Sequence, residues 1–352
     1  MFEAPTDSAS ADAETSAPRA DRGPCYAALD LGTNNCRLLI ATPTDRGFRI
    51  VEAFSRIVRL GEGLTLTGLL QPEAMDRAIK ALKVCAERVQ RRKVVRLRAV
   101  TTQACRIAEN GPEFVRRVEA ETGIRLTVIS ASEEARLSVA GCANLIDRKA
   151  SAALVLDVGG GSTELSWVEQ GAAENGRLRT EIRAWMSVPI GVVNLAERFP
   201  EPDSGHDAWF RAMVDCIGAE LSAFRGADAL RPRFESGEAH LVGTSGAITS
   251  LAGLHLGLAR YDRSKVDGLW LTRGDCEAAA SRLIALGPAG RAAEPCIGRD
   301  RADLVLAGAA ILQAVQEHWP CERVRVADRG LREGILMGLM RERRRRKRRR
   351  RR

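Results

Sequence analysis

One pattern occurs twice and constrains this chain more than any other. Residues 25–31 (CYAALDL) and 152–158 (AALVLDV) are short apolar runs ending in Asp-x before a glycine. Each is followed by a polar turn and a second apolar run, CRLLIAT (36–42) and TELSWVE (163–169). A strand, a tight polar connection and another strand fit both segments. Asp30 and Asp157 stand 127 residues apart, about one domain length, so the repeat reads as a duplication into two similar lobes. Between and after the hairpins, apolar residues recur every three or four positions. They predict helices from Pro72 through Val89, near 112–121 with a stop at Gly123, over 131–146, 192–199, 208–224, 247–256, 273–286 and 301–319, and from Leu331 into the end of the chain. Further strands are expected at 48–58, 94–101, 124–130, 181–188, 239–243 and 323–327. Hairpins alternating with helices argue for an α/β layered protein of two lobes.

Charge is distributed unevenly. The 352 residues carry a formal +9, yet the last twelve hold eleven Lys or Arg and one Glu. The body is therefore close to neutral, and the basicity belongs to a tail over 341–352. Such a run is a solvated end by default; nucleic acid or polyphosphate are the polyanions it could contact. Residues 1–23 are rich in Ala, Ser, Asp, Glu and Pro and are expected to be disordered. They lack the apolar core of a signal peptide and the Arg-rich, acid-poor character of a transit peptide. No segment reaches the ~18 apolar residues of a membrane span. The nine cysteines contain no C-x-x-C pair, which suits a reducing compartment. A cytoplasmic protein without a membrane partner is expected. The organisation is a tail over 1–23, lobes over 24–148 and 149–340 with the last helix free to pack back on the first lobe, and a basic end. A homodimer stays open.

Three glycine-bearing turns can cradle phosphate through backbone N–H groups: Gly32-Thr33-Asn34, Gly159-Gly160-Gly161-Ser162 and Gly243-Thr244-Ser245-Gly246. The aspartates that precede the first two are too negative to touch phosphate and are suited to hold Mg²⁺. Ser130 and Glu133 have capping-box spacing. Glu134 is not needed for that cap; from spacing alone it is a first-turn acid favoured by the helix dipole. Arg106 could clamp a phosphoryl group. No Walker A pattern exists, because no Gly-Lys pair occurs. Three Cys-x5-Arg matches fall in predicted helices without glycine and are rejected as phosphatase loops. The four histidines form no i,i+4 pair for zinc.

The segments ALDLGTNNCRLLIA, TQACRIAEN, ISASEEARL, LDVGGGSTEL, GTSGAITSLAGL, RADLVLAGAAIL and ADRGLREGIL, in this order over about 25–340, resemble the exopolyphosphatase / guanosine pentaphosphate phosphohydrolase (Ppx/GppA) family. The resemblance implies two ribonuclease-H-like lobes of the actin/hexokinase/Hsp70 superfold with a cleft between them. It implies Mg²⁺-dependent release of terminal phosphate from inorganic polyphosphate, with pppGpp hydrolysis as the alternative and a catalytically idle polyphosphate or (p)ppGpp sensor as the remote one. By position, Glu134 matches the base for the attacking water and Arg106 the arginine that holds the phosphoryl group. Asp157 and Glu164 match acidic residues of catalysis and metal binding, Asp30 joining them as a metal candidate. Longer relatives carry further helical domains, so long-chain processivity is not expected, and shorter chains or a nucleotide stay open.

Overall fold

In the computed structural model of the chain, which describes residues 23–45, 47–174 and 177–350, Tyr26–Leu31 (β1) is buried at every position except Asp30. Ala152–Val158 (β6) is likewise buried at every position except Asp157. An apolar run buried on both faces makes a central strand, and the one residue left partly open in each run is its aspartate. The expected tail over 1–23 lies outside the described residues, apart from Gly23.

The first sheet is ordered β3-β2-β1-β4-β5, with β2 (Asn35–Thr44), β3 (Gly47–Ile57), β4 (Arg96–Thr101) and β5 (Leu126–Val128). Strands β1 to β3 form an antiparallel meander, and β4 and β5 run parallel to β1. The second sheet repeats the plan. With β7 (Thr163–Glu174), β8 (Arg177–Val188), β9 (Ala239–Thr244), β10 (Trp270–Thr272) and β11 (Arg323–Ala327), its order is β10-β11-β9-β6-β7-β8. Here β6 to β8 are the meander, β9 and β11 are parallel to β6, and β10 adds an antiparallel edge. Two sheets of one plan, each covered by helices, make the two-lobed α/β architecture expected from the sequence.

Alternation along β1 sends Ala27, Leu29 and Leu31 to one face, under the Pro72–Arg91 helix, and Tyr26 and Ala28 to the other, under the Leu331–Arg350 helix. On the second sheet one face packs the His206–Leu221, Gly246–His255 and Val305–His318 helices. The other face takes Val139 and Cys142 of the Ala131–Cys142 helix. The chain thus crosses between layers twice. Ala131–Cys142 leaves the first sheet to cover the second, and Leu331–Arg350 leaves the second to cover the first. The two helices cross where Gly141 meets the Gly330 carbonyl and Gly334 meets the Leu137 carbonyl.

Several elements differ from expectation for local reasons. The 131–146 helix ends at Cys142 and tightens into a 3₁₀ turn, Ala143–Leu145. The 273–286 helix continues to Ala293 through a kink at Gly287, which adopts φ 61 just before Pro288. The 301–319 helix starts at Val305, after a 3₁₀ turn over Arg299–Arg301. Short helices at Gln103–Ile107, Leu230–Glu235 and Arg263–Val266 and the strand β10 are too brief for periodicity to show. The basic end is not irregular: Leu331–Arg350 is one helix, since arginine has good helix propensity and Leu331 to Met340 anchor its first half on the sheet. No helix among the described residues is long and apolar enough to cross a membrane.

Candidate active site

Strand register brings the singled-out residues together. Asp30 pairs with Arg37 across the first hairpin; Asp157 stands between Glu164 on β7 and Thr244 on β9. The carboxyl ends of β1, β6, β9 and β11 therefore open onto one cleft of about 450 Å³. Its lining includes Asp30, Glu134, Asp157 and all three turns, except that Gly243 is absent. That expectation is corrected: Gly243 lies inside β9, where Ile248 and Val324 close over it and a Cβ would come within 2.8 Å of Ile248 Cδ1.

The triple glycine, which lines the cleft, also has a packing role. None of Gly159, Gly160 and Gly161 adopts a left-handed conformation. A Cβ on Gly160 would stand 3.0 Å from Asn34 N, and one on Gly161 3.0 Å from Thr33 Oγ1. Small residues are needed there so that the second loop can lie directly against the first. Each loop is closed by its own hydrogen bond, Gly32 N to Asn35 O and Gly159 N to Ser162 O, both 2.9 Å. In the third turn Ser245 Oγ accepts from Ile248 N at 2.9 Å, capping the Gly246–His255 helix and leaving its first N–H groups toward the cleft.

Glu134, 8% exposed, projects from the first turn of the Ala131–Cys142 helix. Ser130 Oγ accepts from Glu133 N at 3.2 Å, but the Glu133 carboxylate pairs with Arg98 instead of returning to Ser130, so only half of the expected capping box forms. Arg106 donates to Glu134 Oε2 (3.2 Å), Ile129 O (2.8 Å) and Gln103 Oε1 (3.2 Å). In this state it orients Glu134 and stands off the cleft surface. Glu164, 2% exposed, also sits off the surface, accepting from Ser187 Oγ at 2.8 Å, and Asp157 accepts from Ser138.

These acids crowd one another. Burial, then the charges of Glu164, Asp157 and Asp30, holds Glu134 well above the usual carboxylate range, against a smaller pull from Arg106. Burial and Asp157 raise Glu164 to about 7; burial and Asp30 raise Asp157 to about 6. Burial raises Asp30 as well. Among the described residues no three carboxylate, His or Cys side chains form a ready-made metal cage, so Asp30, Asp157 and Glu164 do not constitute one.

Sequence reasoning missed the cationic side of the cleft. Arg37, Arg301 and Arg332 all line it, and none makes a side-chain hydrogen bond or ion pair with the described protein. The Cβ position of Gly246 is 3.7 Å from both Arg37 Nη2 and Arg301 Cζ, so two of these guanidiniums sit at the third turn. Arg37 was legible, because a hairpin closed between Gly32 and Asn35 must place it opposite Asp30. Arg301 and Arg332 reach the cleft through tertiary contacts with no local signal.

The profile of the Ppx/GppA phosphatase family matches residues 39–343. The fold is similar to the crystal structure of the Aquifex aeolicus Ppx/GppA family member, at 30% identity over 91% of this chain and 98% of that one, TM-score 0.70. It is similar to an exopolyphosphatase-like protein at 29% identity over 90% and 98% (TM-score 0.77), and to an exopolyphosphatase from Cytophaga hutchinsonii at 25% identity over 89% and 96% (TM-score 0.74). With the matched profile covering all of the second sheet and the first from within β2 onward, the chain belongs to the Ppx/GppA phosphatase family.

Proposed function

We propose that this phosphatase releases terminal phosphate from inorganic polyphosphate. One observation carries the reading: a single cleft combines three guanidiniums that make no side-chain hydrogen bond or ion pair among the described residues, Arg37, Arg301 and Arg332, with a buried carboxylate, Glu134. Planar guanidiniums match phosphoryl oxygens, and the N–H groups of the three turns add neutral donors. Water attacks the terminal phosphorus and passes a proton to Glu134. The new P–O bond forms as the bridging P–O bond breaks, giving orthophosphate and a chain one unit shorter. Arg106 keeps the Glu134 oxygen aimed, and positioning with charge neutralisation supplies most of the acceleration.

The cleft suits Mg²⁺. Asp30 and Asp157 face it, while Asn34 Oδ1, Asn35 Oδ1 and Thr33 Oγ1 are buried oxygens without hydrogen-bond partners. Mg²⁺ commonly takes one or two carboxylates and completes its shell with water and substrate phosphate, so a three-acid cage is not required. Bound there, it would neutralise charge on the phosphoryl oxygens. Asp30 and Asp157 would hold it, with Glu164 supporting from β7.

A second reading, pppGpp hydrolysis, is favoured by a different part of the same cleft. Tyr261, Pro295, Ile297 and Leu304 give it an apolar wall that a purely ionic polymer would not use and a nucleoside base would. The basic end adds a polyanion tether, and nine free thiols suit the cytoplasm. Phosphate release with Mg²⁺ from short polyphosphate, long polyphosphate and pppGpp tests these readings. Release from polyphosphate is expected, and removal of 341–352 should raise KM for the long chain while leaving kcat unchanged. Release from pppGpp alone would transfer the site to the nucleotide, and no release from any of the three would overturn the enzyme reading.

The raised acids make a stability prediction. An unfolded Glu ionises near 4.5, but Glu164 in the fold ionises near 7. The folded state therefore binds the extra proton between these values, and its stability falls as pH rises through them. Glu164→Gln should be more stable than the wild type at pH 8 by about 3 kcal/mol at most, at 1.36 kcal/mol per pKa unit, and not at pH 4. Thermal unfolding in Mg²⁺-free buffer checks it; an equal gain at both pH values would contradict the assignment.

A further inference from the structure

Residues 58–63 connect β3 to the short Leu64–Thr67 helix and touch three things at once. Their backbone supports the first phosphate loop: Val58 N and Arg59 N both donate to Asn34 O (2.9 and 3.0 Å), and Gly61 N donates to Thr33 O (2.9 Å). Gly61 presses on the Thr33 methyl so closely that no Cβ would fit. Arg77, on the Pro72–Arg91 helix, pins the segment from behind through Val58 O (2.9 Å). The segment then reaches the other lobe. Arg59 donates to both Asp303 carboxylate oxygens (Nη1–Oδ2 2.8 Å, Nη2–Oδ1 3.1 Å) and to Asp300 O (3.4 Å). Gly63 N donates to Glu197 Oε1 at 3.1 Å. Asp300 and Asp303 flank Arg301, the guanidinium that stands beside Gly246 in the cleft.

Arg59 also holds an unfavourable backbone conformation, φ 46, which costs a residue with a Cβ and which glycine would adopt freely. A strained non-glycine residue persists where its side chain is used. Here the side chain spans the lobes.

We propose that Arg59 and Asp303 form an interlobe latch that fixes the spacing between the first phosphate loop and Arg301. Both are positioning residues that act through Asn34 and Arg301 without touching substrate. The inference rests on the polyphosphate reading of the cleft and adds how the two lobes are held at a working distance around it.

The pair is partly exposed (34% and 49%), so its effect is modest: about three- to fivefold, the range of a well-formed surface ion pair. The test measures tripolyphosphate affinity by calorimetry in the Glu134→Gln background and hydrogen exchange over residues 298–304. Arg59→Ala and Asp303→Ala should each weaken binding by that factor and speed exchange. The double variant should be no weaker than either single, and the exchanged pair, Arg59→Asp with Asp303→Arg, should recover part of the loss. Arg59→Gly separates the latch from simple structural support: its Tm should rise as the backbone relaxes, while its affinity falls as in Arg59→Ala. Unchanged affinity and exchange, additive losses in the double variant, or a Tm that falls together with affinity in Arg59→Gly would each overturn the latch. A wild type that binds tripolyphosphate but releases no phosphate would overturn the hydrolase reading and leave the latch standing.

Discussion

Glu134→Gln will reduce phosphate release by about 10²- to 10⁴-fold, the loss expected when a positioned general base is removed. Glutamine keeps the shape of the side chain and an oxygen for the Arg106 hydrogen bond (3.2 Å), so the local structure has no reason to collapse. What disappears is the proposed proton acceptor. Two further effects follow from the crowding of Glu134 by Glu164, Asp157 and Asp30. Removing one negative charge from the proposed phosphate cleft should leave polyphosphate affinity unchanged or tighter. It should also raise Tm, because the fold no longer holds an ionisable group against burial. The rising acid limb of the wild-type kcat/KM profile, set well above the usual carboxylate range, should vanish from the residual activity of the variant. Single-turnover release, calorimetric binding and thermal unfolding on the same sample check all three. A variant that loses binding along with turnover would show Glu134 to be structural, and one that keeps turnover would remove it from the mechanism.

Much of this site was legible before any coordinate. Asp30 and Asp157 declared themselves because each ends an apolar run just before a glycine, and a central strand can place such a residue only at its carboxyl end. Glu134 was placed in a helix first turn by its cap pattern, but spacing alone made it an ordinary first-turn acid, and only the resemblance to the family singled it out. Other parts were hidden for physical reasons. The glycines of the second loop looked like residues chosen for backbone freedom, yet they serve close approach to Thr33 and Asn34, a contact across about 125 residues that no local pattern records. Gly243 looked like its neighbours Thr244 and Gly246 but belongs to the strand core, since a one-residue step along β9 reverses the face. Arg301 and Arg332 are two among many arginines until the fold turns them into one cleft. The exchange of the Ala131–Cys142 and Leu331–Arg350 helices between sheets was likewise unreadable: amphipathic periodicity says that a face is buried, not against which sheet.

That exchange leads to the second large effect. Gly141→Ala should destabilise the protein by about 3 kcal/mol, the upper end for overpacking, and lower Tm by several degrees. Its Cβ would fall on the Gly330 carbonyl oxygen, and backbone cannot swing aside as a flexible side chain can. The neighbouring backbone is already committed: the Arg329 carbonyl takes hydrogen bonds from Cys142 Sγ (3.1 Å) and Thr244 Oγ1 (2.9 Å), and Gly330 N donates to Glu333 Oε2 at 2.9 Å. Relief can come only by parting the two crossing helices. One carries Glu134 and Ser138; the other begins with Leu331, Arg332 and Glu333 on the cleft wall. Parting them moves the proposed base, Glu134, relative to Arg332 on the cleft wall, so activity should fall by more than the lost folded fraction explains. Gly334→Ala, which would meet the Leu137 carbonyl on the other side of the crossing, should do the same. Gly338, on the Leu331–Arg350 helix but with nothing near its Cβ position, supplies the control: Gly338→Ala should raise Tm slightly through helix propensity and leave kcat alone. If Gly141→Ala and Gly338→Ala behave alike, the helices do not touch where the structure brings them together, and the coupling of the crossing to the cleft falls with them.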